Sequence, residues 1–267
     1  MAEQQDVIAA LAADGDEIDQ LVADLSDEQW QLATPAVGWT ITHQMAHLTA
    51  TFHLAGLAAA NPDGFTAMAG GLGPDFNANV VAAMAPHLHD TPAELLVKWR
   101  RQRAETERAL AAVPAGQLVP WLVRPLPAPV LAAAGMMELF GHGQDIADTL
   151  GVRRTRTDRL RHLVEFAVRT WDFGYHARKL TPPDTTFHFD IVAPSGTRWQ
   201  FGPPDAPNSV WGPAEDLCLL VTRRRHRDDL GLRAIGPEAD RWLDLAQAYR
   251  GPAGTGRTPG QFAVSAA

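Results

Sequence analysis

Apolar positions recur at helical spacing through the first two thirds of the chain and give way to strict alternation near residue 187, so the pattern predicts helices first and strands later. Ile8, Leu11, Ile18, Leu21, Val22 and Leu25 fall roughly on one face and predict a helix from Asp6 to about Leu25, with acids on the other face. Ser26 to Trp30 offers a new cap and a short turn, and Thr34-Pro35-Ala36-Val37-Gly38-Trp39 breaks the chain. A second helix is expected from Thr42 to Ala60. Pro62, Gly64, Gly70, Gly71, Gly73 and Pro74 predict a mobile loop, which becomes a lid if it crosses the mouth of a site. A phosphate-binding loop is not expected there, since no strand precedes the glycines and no Gly-Lys-Ser/Thr follows them.

A third helical region covers Asp75 to Val113, with a break at Pro86 to Pro92, and Pro114 to Pro129 reads as a stiff connector. The next helix runs from Val130 to Leu150 and stops at Gly151. A further one, carrying Leu160, Leu163, Val164, Ala167, Val168, Trp171 and Tyr175, is expected to reach Lys179 and complete the bundle. The basic run Arg153, Arg154, Arg156, Arg159 and Arg161 reads as solvated surface. Beyond Pro182, Phe187, Phe189 and Ile191 alternate with His188 and Asp190, and Pro194-Ser195-Gly196 separates them from Thr197-Arg198-Trp199-Gln200-Phe201, which predicts a β-hairpin. Helices are expected from Pro213 to Arg225 and from Pro237 to Tyr249. The fold class is therefore α+β: a helical bundle over residues 1–180, a small α/β domain over 181–250, and a flexible tail over 251–267.

Composition narrows the function. A net charge of −8 argues against nucleic acid as a partner. No apolar run approaches the roughly 18 residues of a membrane span, and Met1-Ala2-Glu3-Gln4-Gln5-Asp6 lacks the basic and apolar regions of a signal peptide, so a cytoplasmic protein with no membrane partner is expected. The single cysteine, Cys218, lies in the apolar run Leu217-Cys218-Leu219-Leu220-Val221 and reads as core. No internal nucleophile stands out, and a small-molecule substrate handled by a monomer or homodimer is the expectation.

Candidate chemistry concentrates in Met137-Glu138-Leu139-Phe140-Gly141-His142-Gly143-Gln144-Asp145. Glu138 and His142 are four residues apart and share a helix face. That spacing suits two ligands of a catalytic metal, and pairs so spaced also arise by chance as solvated surface pairs. The obvious third donor is His47, on the second helix. His43, one turn earlier, has four open readings: fourth ligand, partner of a ligand, general base, or outward polar residue. Asp145 keeps near the ligand stripe, where a carboxylate holds the outer nitrogen of a metal histidine, most plausibly the one on the other helix; a plain surface acid is the alternative.

Trp39 followed eight residues later by His47-Leu48, with Glu138-x-x-x-His142-x-x-Asp145 near the end of the first domain, resembles the DinB-like metalloproteins, most closely the branch that includes mycothiol-dependent maleylpyruvate isomerase. The resemblance implies an up-and-down four-helix bundle in which His47, Glu138 and His142 hold a divalent metal. It also implies the thiol mycothiol as cosubstrate: an activated sulfur adds to a conjugated double bond, permits rotation, and leaves. The family often has an acid where this chain has His43. Zinc is the first choice of metal, and the same ligands suit nickel, iron(II) or manganese. Trp211-Gly212-Pro213-Ala214-Glu215-Asp216-Leu217 and the basic residues after it loosely resemble the branch's C-terminal domain. This implies an arginine, Arg223 among Arg223 to Arg225, on a substrate carboxylate; the residues alone read as a solvated basic helix end. Isomerase or thiol-transfer chemistry is the expected function. The alternatives are thiol-independent Lewis-acid catalysis of dehydration, cyclisation or hydrolysis, and a non-catalytic metal or small-ligand binding protein.

Overall fold

A computed structural model describes the backbone of residues 2–262 and their side chains from residue 4. The chain forms two compact units, residues 1–154 and 155–267, of mixed α+β class. The first carries α1 (Ala2–Val22), α2 (Asp27–Trp30), α3 (Ile41–Ala60), α4 (Pro62–Ala69), α5 (Phe76–Met84), α6 (Pro92–Ala112), the two-residue strands β1 (Leu118–Val119) and β2 (Leu126–Pro127), and α7 (Ala128–Leu150).

Four of these make the bundle. α1 and α3 each pack on both α6 and α7, so the helices run α1, α6, α3, α7 around the core, and the chain crosses a diagonal between α1 and α3 and again between α6 and α7. The segments that make those crossings are 23–40 and 113–127, two of the places where proline and turn residues break the helical pattern. Capping fixes where the helices begin. In α6, Thr91 accepts from the Glu94 amide while the Glu94 carboxylate accepts from the Thr91 amide at 2.9 Å, and Pro92 takes the first position. The core holds Leu11, Ile18, Met45, Leu48, Phe52, Leu95, Trp99, Leu139 and Ile146, all at most 2% exposed, with Phe52 edge-on to Trp99.

Two glycines set how closely helices approach. A Cβ on Gly143 would fall 2.2 Å from Ile18 Cδ1, and one on Gly56 would fall 2.7 Å from Thr106 Oγ1. Two basic residues of α6 reach across to α1. Arg100 donates to Asp19 at 2.7 Å, while Arg103 reaches Asp16 at 2.7 Å and the Ala12 carbonyl at 2.9 Å, tying α6 to α1.

The second unit holds α8 (Leu160–Arg169), α9 (Phe173–Ala177), β3 (Phe187–Val192), β4 (Arg198–Phe201), β5 (Asn208–Pro213), α10 (Ala214–Val221), β6 (Arg233–Ile235) and α11 (Pro237–Leu245). The expected hairpin is present, with β3 antiparallel to β4 and Ile191 opposite Trp199. It sits in a sheet of order β4-β3-β5-β6, where β3 and β5 pair in parallel. Phe187, Phe189, Ile191 and Val210 face the core with Trp199 and Trp242.

Several boundaries differ from the sequence pattern. The helix expected to reach Lys179 stops at Arg169, where the Thr170 hydroxyl donates to the Phe166 carbonyl at 2.8 Å. α8 packs on α10, so the compact units divide at 154/155, whereas the sequence reading drew the line after residue 180. The expected loop after Asn61 begins as α4: Asn61 caps it by accepting from the Gly64 amide, Pro62 leads it, and buried Phe65 stacks on Trp121 at 5.6 Å. Of the basic run, Arg154 is buried and donates to Glu17 at 2.9 Å, and Arg156 pairs with Glu215 at 2.9 Å. The tail expected to be flexible lies partly outside the described residues. Within them, the Gly260 amide donates to Asp229 at 2.8 Å, and Arg225 stacks on Phe262 at 3.9 Å. Cys218 is buried, as an apolar run requires. No helix among the described residues is long and apolar enough to cross a membrane.

Candidate metal centre

The site begins with the register of two neighbouring helices. α3 carries His47 and α7 carries Glu138 and His142, and α3 packs directly on α7. Their ligand atoms converge. Glu138 Oε2 lies 3.4 Å from His47 Nε2 and 3.2 Å from His142 Nε2, and one atom from each of the three residues lies within 4.8 Å of the others. This is the one such grouping of histidine, cysteine or carboxylate side chains among the described residues.

Burial pushes the Glu138 carboxyl up, but the two imidazoles that face it, His142 first and His47 second, outweigh it and hold the group below the ordinary carboxylate range. Glu138 is therefore an anion in the folded protein. The side chains of His47, Glu138 and His142 keep 16%, 22% and 14% of their surface, so solutes can reach the cluster. Thr51, one turn beyond His47, places its hydroxyl 3.4 Å from His47 Nε2. A cavity of about 40 Å³ opens beside Glu138 and Thr51, walled mainly by Leu11, Phe52, Leu110 and Leu131.

Trp39 flanks the imidazoles, its ring 5.3 Å from His47 and stacked at 5.8 Å on His142. A tight turn aims it there: the Thr34 amide donates to the Trp39 carbonyl at 2.8 Å, the Trp39 amide donates to Ala36 at 2.9 Å, and Gly38 takes a φ of 80° that a side chain would resist.

The other residues singled out from sequence are placed differently. His43 does not join the cluster. It stands at the third position of α3, where Nδ1 accepts from the Thr40 amide at 3.3 Å with the Thr40 hydroxyl 2.9 Å away. With that lone pair engaged, a neutral His43 carries its proton on Nε2 and can donate there, which does not suit a general base. Asp145 is fully buried, and its partner on α3 is Gln44, Nε2 to Oδ2 at 3.5 Å, one residue removed from the direct histidine contact that its spacing predicts. Gln44 in turn meets His142, Oε1 to Nδ1 at 2.5 Å. Arg223 lies in the second unit with a left-handed φ of 58° and a buried Nε that has no hydrogen-bond partner.

Sequence reasoning missed Gln44 and Thr51. Their spacing from His47, three residues before and four after, is the signal that was available.

The donor set suits a divalent cation on chemical grounds. Two neutral imidazoles and one carboxylate, with room for a further ligand, are a zinc-type set. Donors at bond lengths of roughly 2.0–2.1 Å in a tetrahedral arrangement stand about 3.3–3.4 Å apart. The 3.2 and 3.4 Å separations here match that edge.

Residues 11–147 match the family model described as the mycothiol maleylpyruvate isomerase N-terminal domain. Two uncharacterized proteins from two strains of Mycobacterium tuberculosis are each 42% identical over 271 residues, covering 96% of this chain and 100% of their own. Among solved structures, the crystal structure of the mycothiol-dependent maleylpyruvate isomerase superposes with a TM-score of 0.56 at 14% identity, covering 86% of this chain and 92% of that one. A point mutant of that enzyme gives the same score at 15% identity. The likeness to the solved structures establishes that this chain shares their fold, and the matched residues include all three converging side chains. The chain belongs to the mycothiol maleylpyruvate isomerase N-terminal domain family.

Proposed function

We propose that this protein is a metal-dependent enzyme of isomerase or thiol-transfer type that uses a thiol cosubstrate, mycothiol by family, on a small carbonyl or carboxylate compound. The observation that carries the reading is the convergence of His47, Glu138 and His142 inside the matched domain. These three would hold the cation, zinc first among the divalent metals. When bound, the metal supplies Lewis acidity, which polarises a carbonyl and favours the anionic form of a thiol or water near neutral pH.

The chain's own groups do the remaining work. Glu138 would bring one negative charge, so a divalent cation held by it and the two imidazoles would keep a net positive charge that favours an anionic sulfur. Trp39 covers one side of both imidazoles and restricts their rotation. Leu11, Phe52, Leu110 and Leu131 keep the space beside Glu138 apolar, so a slim apolar part of a substrate fits there better than a second charge.

The test is turnover of a panel of small conjugated carbonyl and carboxylate compounds by metal-loaded protein, with and without mycothiol. Turnover that requires the thiol is the expected result. Turnover that ignores it assigns the protein to thiol-independent Lewis-acid chemistry, and tight metal binding with no turnover on the panel assigns it to the binding proteins.

A further inference from the structure

Gln44 is 0% exposed and has three polar contacts in the core of the site. Its Nε2 donates to Thr34 Oγ1 at 2.9 Å and to Asp145 Oδ2 at 3.5 Å, while its Oε1 meets His142 Nδ1 at 2.5 Å. The orientation of this amide is over-determined. The Thr34 hydroxyl proton is used on the Trp39 carbonyl at 2.9 Å, so toward Gln44 that oxygen can only accept. Asp145 Oδ2 accepts from the same amide nitrogen at 3.5 Å. Both therefore face the amide NH2, which leaves the amide oxygen for His142. A carbonyl oxygen accepts, so Nδ1 must carry the proton.

We infer that Gln44 is a positioning residue that, anchored by Thr34 and Asp145, holds His142 in its Nδ1–H tautomer and so presents the Nε2 lone pair to the atoms of His47 and Glu138. The inference rests on the metal reading above and deepens it. Without Gln44, the neutral imidazole would gain by moving its proton to Nε2, where Glu138 Oε2 waits 3.2 Å away to accept it. That tautomer cannot ligate a metal through Nε2. The same amide links the Trp39 turn to the site through Thr34, so one side chain sets both the histidine's proton and the position of its aromatic cover.

The experiment has two arms. Nitrogen-15 NMR of metal-free protein, at a pH well above the ordinary imidazole value, reads the His142 tautomer directly. Wild type is expected as Nδ1–H and Gln44→Leu as Nε2–H; an Nε2–H signal in wild type, or the same tautomer in both, would overturn the inference. This arm needs no metal, so it stands even if wild type binds none and the proposed function falls. In the second arm, zinc affinity by chelator competition is expected to drop roughly 10- to 100-fold in Gln44→Leu, the usual cost of losing a group that orients a metal histidine. Equal affinity in wild type and a folded Gln44→Leu would reduce Gln44 to a packing residue.

Discussion

Two titratable residues give predictions that their own surroundings decide. His43 closes the N-terminus of α3 through Nδ1, so His43→Ala is expected to cost about 1 kcal/mol of stability, the usual worth of a cap, while metal content stays at the wild-type level. Urea denaturation and elemental analysis check the two halves; metal loss would make His43 a ligand after all. Glu107 is pushed up by burial, with Asp16 adding to the shift and Arg103 opposing it, and its Oε1 is buried without a hydrogen-bond partner. An acid whose folded pKa is raised stabilises the protein below its unfolded value and loses that contribution as pH rises through the folded value. Glu107→Gln should therefore gain melting temperature relative to wild type as pH rises through the carboxylate range, and a constant difference across that range would contradict the assignment. Spacing made the pairing of Glu138 and His142 legible because side chains four apart on a helix share a face, while His47 joined them as a candidate through the resemblance carried by Trp39 and His47-Leu48. The role of Gln44 was not legible: a glutamine carries no fixed chemistry until its partners are known, and Asp145 lies 101 residues away from it.

For the elements, close approach of helices is what gives the site its geometry. Gly143 sits one residue after His142, where a Cβ would meet Ile18 of α1 and the Arg154 guanidinium. Gly143→Ala is expected to destabilise the first unit by about 1–3 kcal/mol through overpacking, measured by urea denaturation; a change below the error of the method would show that α1 yields freely. The long helices were legible because a 3.6-residue period repeats over many turns. β5 was not. Its buried face carries Asn208, Val210 and Gly212, so the alternation that marks a strand is almost erased, and Asn208 is buried because its Oδ1 accepts from the amides of Glu238 and Ala239 at the start of α11. β6 has only three residues, too few for a period to register. α4 was hidden by glycines and prolines that read as loop, although Asn61-Pro62 is a cap followed by a first-position proline.

At the scale of the molecule, everything assigned to the candidate metal centre lies within residues 1–154: the three proposed ligands, Gln44, Thr34, Trp39 and Asp145. A fragment ending at Arg154, which keeps that residue's bond to Glu17, is expected to fold as a helical bundle and to bind zinc within tenfold of the full chain. Circular dichroism and chelator competition on the fragment check this; a folded fragment without metal affinity would mean that residues 155–267 complete the site. The α+β class was legible from the switch in period near residue 187, while the division between units was not, because α8 continues the helical texture of the bundle and yet packs on α10. The central claim is that His47, Glu138 and His142 hold a divalent cation, and elemental analysis of purified protein, treated with a mild chelator or untreated, beside Glu138→Ala tests it most directly. Near-stoichiometric metal in wild type that disappears in the variant, with helicity retained in both, is the predicted result. Metal-free wild type that takes up none on reconstitution, or a variant that keeps its metal, would contradict it.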